Sequence, residues 1–268
     1  MNITGFKIHL VVGKFQVVRC PGFWIESERH APLTRGGITL PDPKGRLFQS
    51  IQEGEPVNIS LGYRNQAPAE WKGTVAWLRP GTGKDQVEIG VVGNDLPLTA
   101  TRLTQAFENE APEAIVRWAI IEAGLTPGRI ESPGVIFPRC VVSDIPVWQV
   151  ARQCCHTCTR AFGLDMREWA LWMGADKTVN WGPFDEPGQV PVIASGANLI
   201  QHSPDSEAVM FNQVETFLLP AMRHSMRFRL TDARRGVDGT FRAVKVRHSM
   251  QETKIRTFLL YGEDHEQY

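Results

Sequence analysis

Apolar and polar positions alternate in two separated blocks of this chain, at residues 54–92 and 227–260. A period of two is the signature of half-buried strands. In the first block Val57, Ile59 and Leu61 share one face. After a loop over 63–69 the period returns in Trp71, Val75 and Trp77, with Gly73 relieving crowding between backbones. A Pro- and Gly-containing turn at 80–85 leads back into Val87, Ile89 and Val91, so three short antiparallel strands are predicted. In the second block Met226, Phe228 and Leu230 are in phase, and the break over 232–239 contains Asp238-Gly239, a pair suited to a tight hairpin. Phe241 and Ala243 share one parity while Val244 and Val246 share the other, which predicts a β-bulge near Ala243. Residues 255–261 are apolar on both parities apart from Arg256 and Thr257, as in a strand buried on both faces or held at an interface.

Between the blocks the period lengthens. Pro112, Ile115, Trp118, Ala119 and Glu122 follow helical steps until Gly124 ends the run. A loop is expected over 126–138. Ser143 or Asp144 then caps a second helix starting near Pro146, which places Val147, Val150, Ala151, Cys154, Cys155 and Cys158 on one face and ends at Gly163. Alternation resumes over 164–173 with Trp169 and Leu171 in phase, and residues 178–206, rich in Pro, Gly, Asn and Ser, read as a linker. The expected fold class is β-rich α+β: two antiparallel β-barrel-like domains with a helical middle segment. The expected divisions are 1–100, 101–177 and 178–268.

With 268 residues the chain has ample material for a core. Lys and Arg total 29 and so do Asp and Glu, which argues against disorder and against bulk nucleic-acid binding. The balance is not local. Residues 221–260 hold eight Arg and two Lys against Asp232, Asp238 and Glu252. Two readings stand: a solvated strand face, or a basic surface for an acidic partner or polyanion formed by Arg227, Arg229, Arg234, Arg235, Arg242, Lys245 and Arg247. No run reaches the roughly 18 apolar residues that span a bilayer, and the N-terminus lacks a signal-peptide pattern, so a soluble product made in the cytoplasm is expected. An odd five cysteines then implies reduced thiols.

Candidate chemistry is thin. Cys155 and Cys158 form a C-x-x-C pair around His156, but Cys20 and Cys140 are isolated in the sequence and the pair lies late in a predicted helix, so core packing is favoured over zinc or redox work. The seven histidines share no metal-ligand spacing, Ser195 lacks a nucleophile-elbow pattern, and no glycine-rich phosphate loop is present. Asp165 with Glu168, or Asp185 with Glu186, are the available carboxylate pairs. No catalytic, cofactor-binding or metal-binding residue is assigned. Of eight tryptophans, Trp71, Trp77, Trp118 and Trp148 coincide with the apolar phase of a predicted element, leaving Trp172 and Trp181 as the expected exposed pair.

The order of these features resembles the baseplate hub, or late-control tail protein, family of contractile-tailed phages (Mu-like and T-even-like). The likeness runs through G-E-P-V-x-I-x-L-G-Y at Gly54, W-x-G-T-V at Trp71 and D-Q-V-E-I-G-V-V at Asp85, closing at Asn94-Asp95-Leu96-Pro97-Leu98. It continues in the helix over 111–125, the segment 141–148, the strand over 164–173, and the closing strands 241–248 and 255–260. The resemblance implies a structural virion protein of a phage or prophage: a homotrimer whose two barrels per chain form a pseudo-sixfold ring between tail tube and spike. It implies assembly in the tail baseplate after synthesis in the host cytoplasm, transient passage of DNA through the ring, no cofactor and no catalysis. The basic residues above would then line the lumen or meet the spike. With only residues 261–268 after Leu260, no fused lysozyme or needle domain is expected. A Trp-rich carbohydrate-binding or glycan-cleaving cell-wall protein, and the hub of a contractile secretion system, are the alternatives.

Overall fold

The computed structural model describes residues 5–17, 20, 22–64, 66–83, 85–174, 176–184, 188–204, 211–252 and 254–262. The first part of the chain forms β1 (Phe6–Val12), β2 (Phe15–Val17), β3 (Gly22–Glu28), β4 (Arg35–Pro41), α1 (Arg46–Ser50), β5 (Pro56–Tyr63), β6 (Ala69–Pro80) and β7 (Gln86–Gly93). The middle forms α2 (Pro97–Ala100), β8 (Arg102–Glu110), α3 (Pro112–Glu122), β9 (Thr126–Ile130), β10 (Phe137–Pro146), α4 (Val147–Phe162), β11 (Trp169–Met173) and β12 (Thr178–Pro183). The last part forms β13 (Val192–Ala194), β14 (Leu199–Ser203), β15 (Asn212–Phe217), β16 (Arg227–Asp232), β17 (Val237–Gln251) and β18 (Lys254–Tyr261).

Two compact units result, where three consecutive divisions were expected. Unit 1 comprises Met1–Glu28, Thr34–Asn94 and Gly188–Glu263, and unit 2 is built on Arg29–Leu33 and Asp95–Pro187. The reason is β3, which pairs antiparallel with β4 on one side and with β17 on the other. Strands of both sequence blocks therefore share one sheet, ordered β14-β15-β18-β17-β3-β4-β7-β6-β5-β1-β2, with β16 branching from β17 and β13 pairing parallel to β16. The predominantly antiparallel β architecture with few helices follows the expected fold class.

The core of unit 1 takes the inward parity of these strands. Val57, Ile59 and Leu61 of β5, Val87, Ile89 and Val91 of β7, and Phe23 and Ile25 of β3 are all buried. At Gly73 a Cβ would lie 2.1 Å from the Val92 carbonyl oxygen, so two backbones meet where only hydrogen fits. Trp77 departs from the expected phase. A bulge between Val75 and Trp77 turns the indole out of the core, leaving it 40% exposed. In the second block Met226, Phe228 and Leu230 are buried as expected, and the β17–β18 register shifts between Ala243 and Lys245. The hairpin between β16 and β17 turns at 233–236 with Gly236 at φ 65°, whereas Asp238 and Gly239 lie inside β17 opposite Thr231 and Leu230. Nor is β18 buried on both faces: Ile255, Thr257, Leu259 and Tyr261 point inward, while Phe258 is 38% exposed on the other side.

Unit 2 buries α3 and α4 against a two-stranded β8–β10 ribbon and a three-stranded β11–β12–β9 sheet. α3 opens at Pro112, and α4 presents Val147, Val150, Ala151, Cys154, Cys155 and Cys158 to the core before Gly163 ends it in a left-handed conformation. Neither Ser143 nor Asp144 caps α4; Pro146 precedes it, and Asp144 instead receives a charge-assisted hydrogen bond from Arg102 Nε at 2.8 Å. The expected 126–138 loop contains β9, and the expected linker contains β12, β13 and β14, because short apolar pairs such as Val179 and Trp181 suffice to seat a strand. Trp181 is 1% exposed and meets Trp169 edge to face at 4.7 Å, opposite to its expected exposure; Trp172 is half-buried against Phe184.

Two buried histidines tie strands of unit 1 together. His248 of β17 lies between Thr257 Oγ1 (2.9 Å) and the Met222 carbonyl (3.0 Å). A carbonyl only accepts, so Nε2 carries the proton and Nδ1 accepts from the Thr257 hydroxyl, which in turn accepts from the Leu219 N–H at 2.9 Å. His202 of β14 bridges Asp232 (2.8 Å) and the Tyr261 hydroxyl (2.7 Å), and Ser195 Oγ donates to the same carboxylate. The His202 hydrogen bond, with help from the Arg234 N–H and Ser195, holds Asp232 below the usual carboxylate range.

Replacing Gly73 by Ala should lower stability by about 1–3 kcal/mol in denaturant titration, because the obstructing atom is backbone. Burial pushes the His248 pKa down from 6.5 to about 4. The unfolded chain therefore takes up this proton first, and the neutral histidine's contribution is complete above pH 6.5 and lost as pH falls from 6.5 toward 4. The loss attributable to it, wild type minus His248→Gln, should be about 3 kcal/mol across that interval; equal pH profiles for the two proteins would refute the assignment.

Candidate functional site

The sheet of unit 1 has a second, polar face. Along it, cross-strand registry aligns Phe217, Arg256, Ser249, Trp24, Gly37, Gly90 and Trp77 in one row over seven strands. The two glycines face each other between the two tryptophans. A Cβ on Gly37 would strike the Trp24 indole at 2.6 Å, and one on Gly90 would strike the Trp77 indole at 2.1 Å, so each indole occupies the space above a neighbouring strand's glycine. Arginines lie over the aromatic rings of this row: Arg247 over Trp24 at 4.6 Å, Arg79 over Trp77 at 4.8 Å, and Arg256 over Phe217 at 5.2 Å.

Part of this face is concave. A groove of about 640 Å³ runs over β15, β18, β17 and β3, with Lys245, Arg247, Lys254 and Arg256 as its cations and Glu26 and Glu215 as its carboxylates. Both carboxylates are engaged. Glu26 receives Lys245 at 2.8 Å and Arg35 at 2.9 Å, and Glu215 pairs with Arg256 at 3.3 Å. Burial alone would raise the Glu26 pKa, but the hydrogen bonds and charges of Lys245 and Arg35 outweigh it and hold the carboxyl below its ordinary value. Arg247 and Lys254 have no ion pair or hydrogen bond among the described residues.

The seven basic residues singled out in the sequence do not form one cluster. Lys245 and Arg247 line the groove. Arg227 and Arg229 project from β16, Arg229 pairing with Asp238 at 3.2 Å. Arg242 donates to the Ser225 carbonyl. Arg234 and Arg235 occupy the exposed 233–236 turn, with Arg235 3.7 Å from Asp232. Sequence reasoning missed Arg256 and Lys254 as members of the groove, and Trp24 and Gly37 as members of the cross-strand row; the adjacent Gly36-Gly37 inside an otherwise β-forming run was the available signal. The charge asymmetry is broader than the 221–260 segment: unit 1 has 20 Lys and Arg against 15 Asp and Glu, a net +5, and the rest of the chain has 9 against 14.

The other candidates have structural surroundings. Burial raises the Cys155 pKa to about 12 and the Cys158 pKa to about 11, so both are protonated thiols at neutral pH. Among the described residues no group of three or more His, Cys, Asp or Glu is placed to hold a metal ion. Ser195 Oγ addresses Asp232, not a histidine. Asp165 is bound by Arg167 at 2.7 Å, and Asp185 and Glu186 lie outside the described residues. No helix is long and apolar enough to cross a membrane among the described residues.

No protein-family model matches the sequence, and no curated protein matches it significantly. Solved structures do. A tail protein from Neisseria meningitidis aligns over 97% of both chains at 12% identity and a TM-score of 0.69. The 43 kDa tail protein of prophage MuSo2 from Shewanella oneidensis aligns over 96% of this chain and 98% of its own, at 10% identity and a TM-score of 0.69. A type VI secretion component of E. coli, itself described as similar to the T4 tail proteins gp27 and gp5, aligns over 97% of this chain and 78% of its own at 9% identity and a TM-score of 0.61. The chain thus has the β-rich fold of these tail proteins, as the sequence resemblance implied.

Proposed function

We propose that this chain is a structural, non-catalytic component of a phage or prophage tail, a baseplate hub that forms a homotrimeric ring joining tail tube to spike. The observation that carries the proposal is full-length structural similarity to a tail protein and to a prophage tail protein, with nearly all of each chain aligned. The open sheet of unit 1 is compatible with it, since β14 and β2 end the strand order and closed symmetry is an effective way to cover such edges. In this arrangement Arg227, Arg229, Arg234, Arg235, Arg242, Lys245 and Arg247 supply the basic surface toward the lumen or the spike, along the path of DNA. A hub of a contractile secretion system is the second reading, favoured by the similarity to the type VI component. The glycan-binding alternative loses its exposed tryptophan pair, because Trp181 is buried and Trp172 is half-covered.

Light scattering of the full chain should give three times its 30.0 kDa mass, or, on addition of cognate tube and spike proteins, three copies of the chain plus the mass of the bound partner. A monomer that joins neither partner would overturn the reading. Arg234→Glu, at an exposed turn, should retain the wild-type melting temperature and reduce assembly yield; unchanged assembly would remove Arg234 from the working surface.

A further inference from the structure

The polar face of unit 1 combines three properties that no structural role in the sheet demands. Its cations are spaced in pairs, Lys245 with Arg247 on β17 and Lys254 with Arg256 on β18. Residues two apart on one face of a strand stand about 6.8 Å apart, comparable to the step between phosphates of an extended polynucleotide. Arg247 and Lys254 have no ionic partner among the described residues. Finally, Arg247 and Arg256 lie over Trp24 and Phe217; Arg256 gives Nε to Glu215 and one terminal nitrogen to the Ile255 carbonyl, which leaves its other terminal nitrogen for an anion.

We propose that this groove is a binding site for single-stranded nucleic acid, with phosphates on Arg247, Lys254 and Arg256 and bases stacked on the exposed ring of Phe258 and on the arginine planes beside it. Guanidinium planes and aromatic rings both serve as stacking platforms for unpaired bases. The groove volume of about 640 Å³ lies in the range of small-molecule pockets and is enough for a short stretch of one extended strand. An acidic peptide is the poorer occupant. β15, β18, β17 and β3 are each paired on both sides, so no strand edge is available for backbone recognition within the groove. The inference does not rest on the tail-component reading, and it is tested on the isolated chain without assembly.

The test is fluorescence anisotropy of a labelled oligothymidylate about ten nucleotides long. Three engaged cations should give a log–log salt slope near −2, and removing two should reduce its magnitude by about 1.4. Arg247→Gln/Lys254→Gln should weaken binding at least about tenfold relative to Lys44→Gln/Lys72→Gln, a charge-matched control at exposed sites outside the groove, with circular dichroism verifying that both variants fold. Should either variant misfold, the single substitution Lys254→Gln at the exposed start of β18 takes its place, with a smaller loss expected than for the pair. Loss of affinity specific to the groove variant supports the site. Equal loss in both variants, no binding by wild type, tighter binding of a duplex, or tighter binding of an oligoglutamate of equal charge would each overturn it.

Discussion

Everything in unit 1 depends on the pairing of β3 with β17. Seven consecutive partners, from Gly22 with Gln251 to Glu28 with Lys245, join segments more than two hundred residues apart in sequence. Such a contact closes a very large loop, whose entropic cost grows only slowly with length but delays the native pairing until most of the chain is present. The reward is concentrated at the same place. Phe23 and Ile25 enter the apolar core from one face of β3, while Trp24 and Glu26 organise the polar row on the other. Two further links act alongside it: the Tyr63 hydroxyl donates to the Leu218 carbonyl at 2.9 Å, and Leu218 joins the core formed by the first block. Unit 2, by contrast, comes largely from one continuous stretch of sequence, so its core can form from more local contacts.

The polar and apolar faces solve different problems with the same strands. Inward, β-branched and aromatic side chains fill space at the native packing density. Outward, charge is distributed so that the carboxylates are neutralised first, at Glu26 and Glu215, and a cationic excess is left over. The near-equality of acidic and basic residues in the whole chain conceals this, because the compensating acids belong mostly to the sequence outside unit 1. Global charge was therefore a poor guide to what the sheet surface can attract.

Period and turn chemistry made the strands of both blocks and the two long helices legible. Gly124, Gly163 and Pro112 marked helix ends through backbone constraints that tertiary contacts do not override. What failed depended on registry. The bulge at Ala76 reversed Trp77 because one extra residue exchanges the faces of a strand. The segment read as a linker became strands because neighbours distant in sequence supplied their hydrogen bonds, which local composition does not record. The candidate site was half visible: Lys245 and Arg247 stood out as charges, but their companions Lys254, Arg256 and Trp24 are gathered only by cross-strand pairing.

The facing pair Gly37 and Gly90 gives this surface a particular genetic fragility. No side chain is present at either position to be lost, yet any side chain gained would lift an indole and displace the arginine resting on it. The charge pattern of the outer surface is thus held by two hydrogen atoms. A lineage can redraw that pattern by a single missense change while every apolar residue of the core stays as it was.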